Sequence, residues 1–174
     1  MENIVTSLIS CNKIITKKPH REMYPDKQSP IILRNDFECK SEDGEYEFSV
    51  FMRKSTAIEN LFSIGLRVEA KSFPNGSKEH IGLTILRCNG AHEHTNSVTN
   101  KNKFDGFHIH TLEDHQFIKG LDDRIDAELT NDYNNFNKAL HYFLVSCGIS
   151  NYGKFFSRID MLQQTLMESD NRDN

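Results

Sequence analysis

"IILRNDFECKSEDGEYEFSVFMR", residues 31 to 53, decides which class of fold to expect. Ile31, Leu33, Phe37 and Cys39 alternate with Ile32, Arg34, Asp36, Glu38 and Lys40. After "SEDG", Tyr46, Phe48, Val50 and Met52 alternate with Glu45, Glu47 and Ser49. A period of two places successive side chains on opposite faces of an extended chain, and Asp43-Gly44 between the runs is a tight-turn signal. The stretch therefore predicts two antiparallel strands with one apolar and one polar face.

The same period continues downstream. In "FSIGLRVEAK", Phe62, Ile64, Leu66, Val68 and Ala70 share a face, while Ser63, Gly65, Arg67, Glu69 and Lys71 share the other. "PNGS" at 74 to 77 reads as a further turn, and "HIGLTILRC" as a fourth strand whose weaker alternation suggests a central position. "GFHIHTL" is a fifth, with Phe107 and Ile109 directed one way and His108 and His110 the other. Residues 2 to 17 place Ile4, Val5, Leu8, Ile9, Cys11 and Ile15 at helical spacing, ended by Pro19. Pro19, Pro25 and Pro30 mark a loop into the sheet, and residues 113 to 129 read as loop with a short strand or helical turn. A helix is expected from Thr130 to Cys147, with Tyr133, Phe136, Leu140, Phe143, Leu144 and Cys147 as its stripe. Gly148 and Ile149 provide its Schellman stop. A last amphipathic segment covers Tyr152 to Met167. The expected architecture is α+β: a five-stranded, mostly antiparallel meander with N-terminal and C-terminal helices on one face, forming a single domain over 1–168 with a frayed tail at 169–174.

Composition narrows the class of function. A chain of 174 residues, 37% hydrophobic and 26% charged, can bury a true core. No apolar run is long enough to span a bilayer, and "MENIVTSLISCNKIITKK" does not resemble a secretory signal. Cys11, Cys39, Cys88 and Cys147 are widely spaced and read as reduced thiols, so a cytoplasmic protein without a membrane partner is expected. The net charge of −4 argues against nucleic-acid binding by bulk electrostatics, though a local basic groove stays open.

One chemical anomaly remains. His92, His94, His108, His110 and His115 fall within 24 positions, in "HEHTNSVTNKNKFDGFHIHT" and just beyond. Side chains two apart on a strand emerge on one face, about 7 Å apart at their roots. His92, His94, His108 and His110 are thus candidate ligands for zinc or manganese, with Asp105, Glu113 or Asp114 as oxygen donors. Without metal, His108 and His110 are candidate base and acid on a phosphodiester, with Arg87 or Arg67 holding the phosphate. The plain reading is a histidine-rich polar strand. "HIHTLEDH" misses the H-x-H-x-D-H spacing of metallo-β-lactamase-type hydrolases by two residues. "CNGAHEH" offers one cysteine and is no zinc knuckle, and the phosphate-loop and nucleophile-elbow motifs are absent.

"RNDFECKSEDGEYEFSVFMRKS", "NLFSIGLRVE", "LRCNGAHEHTN", "FHIH" and "YFLVSCGI" together resemble a bacterial family known as a domain of unknown function and often carried by prophages and other mobile elements. The resemblance spans about residues 30–150, most specifically Arg87-Cys88-Asn89-Gly90 with His92 and Phe107-His108-Ile109-His110. It implies that these positions belong together, and it supplies no activity, substrate or cofactor. Two functions follow as expectations. One is a small intracellular binding protein acting on a host or phage protein, such as a defence or toxin component. The alternative is a phosphodiesterase-like, nuclease-like or nucleotide-binding protein built on the histidine cluster, with or without metal.

Overall fold

The computed structural model describes residues 3–69, 82–95, 103–119 and 127–156. In chain order these form helix α1 (Ile4–Ser10), strands β1 (Lys13–Lys17), β2 (Tyr24–Pro25), β3 (Ile32–Ser41), β4 (Glu47–Ser55), β5 (Phe62–Val68), β6 (Leu83–Thr95) and β7 (Lys103–Thr111), helix α2 (Asp114–Lys119), strand β8 (Ala127–Leu129) and helix α3 (Phe136–Ser146). A 3₁₀ turn follows at Tyr152–Lys154. One antiparallel sheet runs β1-β3-β4-β5-β6-β7-β8, with β2 attached to β3.

The central meander follows the sequence pattern. Phe37 pairs with Val50, Val50 with Leu66 and Leu66 with Leu86, so the apolar positions line up across four strands. At the Asp43-Gly44 turn, Gly44 has φ +80, a conformation natural to glycine, and its N–H donates to Ser41 O at 2.9 Å. The irregular alternation of "LTIL" has a local cause. The register shifts between Leu66 and Arg67, leaving Ile85 as an extra residue on β6, so Leu83 and Leu86 both reach the core face.

α3 lies over that apolar face. Ala139, Leu140, Phe143 and Leu144 are buried there, and they join Phe37, Phe48, Met52, Ile64 and Cys88 in one cluster. Each large side chain removed from water contributes about 1.5–3 kcal/mol. α1 adds Val5 and Leu8 to the same core.

The expected count of five strands is corrected to eight, because three short edge strands escape periodicity. β1 belongs to the stretch expected to be helical up to residue 17. α1 stops at Ser10, and Lys13–Lys17 pairs with β3 instead, where the β-branched Ile14, Ile15 and Thr16 fit a pleated edge. The C-terminal helix is also shorter than Thr130–Cys147. Asn135 caps it by accepting from Lys138 N at 2.9 Å, and Tyr133 precedes it as a separate core anchor. Its end is as expected: Gly148 has φ +62, and Ile149 N donates back to Leu144 O at 3.0 Å. The 113–129 segment contains α2 and β8. The "PNGS" turn and the chain from 157 onward, including the expected tail, lie outside the described residues.

A buried lysine joins the ends of the fold. Lys13 is 0% exposed, and its ammonium donates to the carbonyls of Ile9, Cys11 and Cys147 at 2.8, 2.9 and 3.0 Å. It also lies 4.7 Å from the centre of the Phe48 ring. All three donors are satisfied by carbonyls at the ends of α1 and α3, where the helix dipoles favour a cation. Among the described residues, no helix is long and apolar enough to cross a membrane.

Candidate functional site

The second face of the sheet carries Arg87 and His92 of β6 and His108 and His110 of β7. Across these strands Arg87 faces His110 and Asn89 faces His108. The next pairing is His92 with Gly106, because two residues on β6, Gly90 and Ala91, oppose Phe107 alone. This bulge reverses the parity of the strand. His92, three positions from Asn89, returns to the same face, where straight alternation would have sent it away.

The bulge depends on Gly90. A Cβ there would lie 1.6 Å from the carbonyl oxygen of Asn60, in the turn between β4 and β5. Only a residue without a side chain permits that approach. β6 therefore runs on through "CNG" to Thr95, paired with β7.

Three imidazoles converge. The ring centres of His92 and His108 are 4.7 Å apart, and those of His108 and His110 are 5.2 Å apart, both edge to face. The side chain of His94 lies outside the described residues. His108 and His110 share the predicted face, but neither is solvated: they are 0% and 2% exposed.

Both nitrogens of His108 are engaged. Nδ1 lies 2.8 Å from the carbonyl oxygen of Gly106, which can only accept, so Nδ1 carries the proton. Nε2 lies 3.1 Å from Nδ2 of Asn89 and accepts from it, while Asn89 Oδ1 accepts from Ser63 Oγ at 2.8 Å. This assignment follows from the partners and makes the ring neutral. On the backbone, Tyr133 Oη donates to His108 O at 2.8 Å and approaches Asn89 O at 3.2 Å, locking the pair from the core side. Burial pushes the Tyr133 hydroxyl well above its ordinary range. The Nδ1 of His92 is buried without a hydrogen-bond partner among the described residues.

The suggested oxygen ligands are used elsewhere. Asp114 accepts from the backbone N–H groups of Ile4 and Val5 at 3.1 and 2.9 Å, at the start of α1. Glu113 pairs with His115 at 2.9 Å in the open. Asp105 is exposed on β7 opposite Glu93. Among the described residues, no three His, Cys, Asp or Glu side chains are placed to hold a metal ion.

Towards β3, β4 and β5 the same face opens and carries cations. Asp36 accepts from Arg34 Nη2 at 2.8 Å and from Arg53 Nη1 at 2.9 Å, so one carboxylate orients two guanidiniums. Arg34 also reaches Asp26 at 3.2 Å. Phe51 lies flat over Gly65, where a Cβ would meet its ring at 2.3 Å. The guanidinium carbons of Arg67 and Arg53 stand 4.8 and 5.7 Å from the centre of that ring. Of these residues only Arg67 was a candidate for chemistry from the sequence. Phe51 hid in plain view, as the one aromatic residue at a polar-face position of β4 opposite a glycine on β5.

Comparison with family models, with curated proteins and with solved structures found no match.

Proposed function

We propose that this protein acts by binding and not by catalysis. One observation carries the reading: His108, the centre of the histidine cluster, is fully buried with both ring nitrogens committed to neutral hydrogen bonds. A general acid or base must reach the proton it moves, and a metal ligand must offer a free lone pair. His108 offers neither without dismantling the Ser63–Asn89–Gly106 chain. The cluster is then the structural spine of β6 and β7, and the open half of the same face meets the partner. In the setting implied by the family resemblance, that partner belongs to a host, a phage or a defence or toxin system encountered by a mobile element.

Hydrolysis assays test this directly. The purified protein, with zinc, with manganese or with neither, is expected to release no p-nitrophenol from bis(p-nitrophenyl) phosphate above the buffer rate. His108→Phe strands the Asn89 amide and the Gly106 carbonyl and is expected to cost about 2 kcal/mol of stability. That appears as a melting temperature lowered by roughly 4–8 °C. Metal-dependent turnover abolished by His110→Asn in a protein that melts normally would overturn the proposal.

A further inference from the structure

We infer that the open half of the second sheet face is a docking platform for single-stranded nucleic acid, centred on Phe51 and the arginines around it. The inference rests on the binding reading above and names the partner of that surface.

Charge is the first support. Arg34, Arg53 and Arg67 stand on three adjacent strands, and their described carboxylate partners are Asp26 and Asp36 alone. Asp26 and Asp36 balance Arg34 and Arg53 while fixing where those guanidiniums stand, which leaves Arg67 as the cation of the three without a described carboxylate partner. Arg67 is exposed, and its described contacts are the Phe51 ring and the Thr84 hydroxyl at 3.4 Å. A net charge of −4 for the whole chain keeps such binding local and sensitive to salt.

Arrangement is the second. A phosphate monoester is held by donors that converge on one point. Here the cations are spread across β3, β4 and β5 with an aromatic ring between Arg53 and Arg67. Such a spread suits an extended polyanion whose charges recur along a chain. The ring supplies what a phosphate track alone lacks: a surface on which a base extends the Phe51–Arg67 stack. Gly65 holds the ring flat, because no side chain rises beneath it. A duplex is a poor occupant, since reading its grooves takes a projecting helix or ribbon, and this platform is the face of a sheet.

The test is fluorescence polarisation of a fluorescein-labelled oligo(dT) of 20 nucleotides at 50 mM NaCl, with an intact-length gel of the same oligonucleotide afterwards. Saturable binding is expected, with Arg67→Glu weakening it at least about ten-fold and Phe51→Leu about five-fold or more. The slope of log affinity against log salt should flatten by about 0.7 for each arginine contact removed. Arg67→Glu should leave the melting temperature unchanged, because Arg67 is exposed. No polarisation change, an undiminished affinity in Arg67→Glu, or equal displacement by poly-glutamate would overturn the platform. Those outcomes leave the binding reading intact. Cleavage of the bound oligonucleotide would instead overturn that reading while the platform stands.

Discussion

The two halves of the second sheet face place nitrogen-bearing side chains on one continuous surface and treat them in opposite ways. Towards β6 and β7, His108 and His110 are sealed, and His108 is held neutral by hydrogen bonds to a backbone carbonyl and an amide side chain. Towards β3 to β5, Arg34 and Arg53 keep roughly a third of their side-chain surface in solvent and balance their charge with carboxylates. A neutral imidazole can be buried at the cost of finding two partners, whereas a guanidinium cannot shed its charge and must stay near water or an acid. The lesson is that polarity alone does not mark a site on this sheet. Burial separates the scaffold from the surface available to a partner.

The largest test of that division is Gly90→Ala. The methyl group would collide with the backbone of Asn60, which cannot swing aside as a side chain can. A loss of about 3 kcal/mol or more is expected, read as a large fall in the midpoint of chemical denaturation. It should also disturb the parity that brings His92 to His108. A melt close to that of the parent protein would show that the turn at Asn60 is loosely held, and that the sealed half is less rigid than its contacts indicate.

Alkaline pH probes the sealed half from its reverse side. Cys88, between Arg87 and Asn89, has its thiol pushed up from 9.0 to about 12, chiefly by burial, and Cys39 on β3 is raised to about 12 for the same reason. The folded state therefore holds these protons more tightly than the unfolded chain. The stability this represents is fully present below pH 9 and is lost as pH rises from 9 towards 12. Half-buried Cys11 should react first with a thiol reagent at pH 8, with Cys39, Cys88 and Cys147 following only as the protein unfolds. Simultaneous modification of all four in the folded protein would contradict this order.

The smallest expected effect belongs to the open half. Gly65→Ala also introduces a clash, but with the ring of Phe51, which is half-buried and free to lift towards solvent. A cost of about 1 kcal/mol is expected, against the larger cost at Gly90. Thermal melts of the two variants side by side give the comparison directly. Equal losses would mean that Phe51 is held as firmly as backbone, and the open half would then be scaffold as well.

Much of the fold was legible before any coordinates. Alternation in residues 31–53 and 62–68 specified the two faces of β3, β4 and β5, because a one-residue slip would turn Phe37, Phe48, Val50 and Ile64 out into water. Gly148 and Ile149 announced the end of α3 through the left-handed geometry that glycine favours. β1, β2 and β8 were not legible. They are short edge strands whose extended form comes from pairing with a neighbour, and in β1 apolar residues at helical spacing concealed it. At the site, the shared face of His108 and His110 followed from their spacing, but their burial did not, since the sequence contains no record of what lies over a strand.

The sequence by itself determined which residues share a face wherever the strands run regularly, because the period of two is a property of the extended chain. Tertiary structure alone decided that His92 joins His108, that Asp114 serves α1, and that Lys13 gathers carbonyls from both helix ends. Each of these depends on a bulge or on contacts between residues far apart in the chain. Local spacing cannot encode such contacts, because the free energy that fixes them arises only when the separate elements meet.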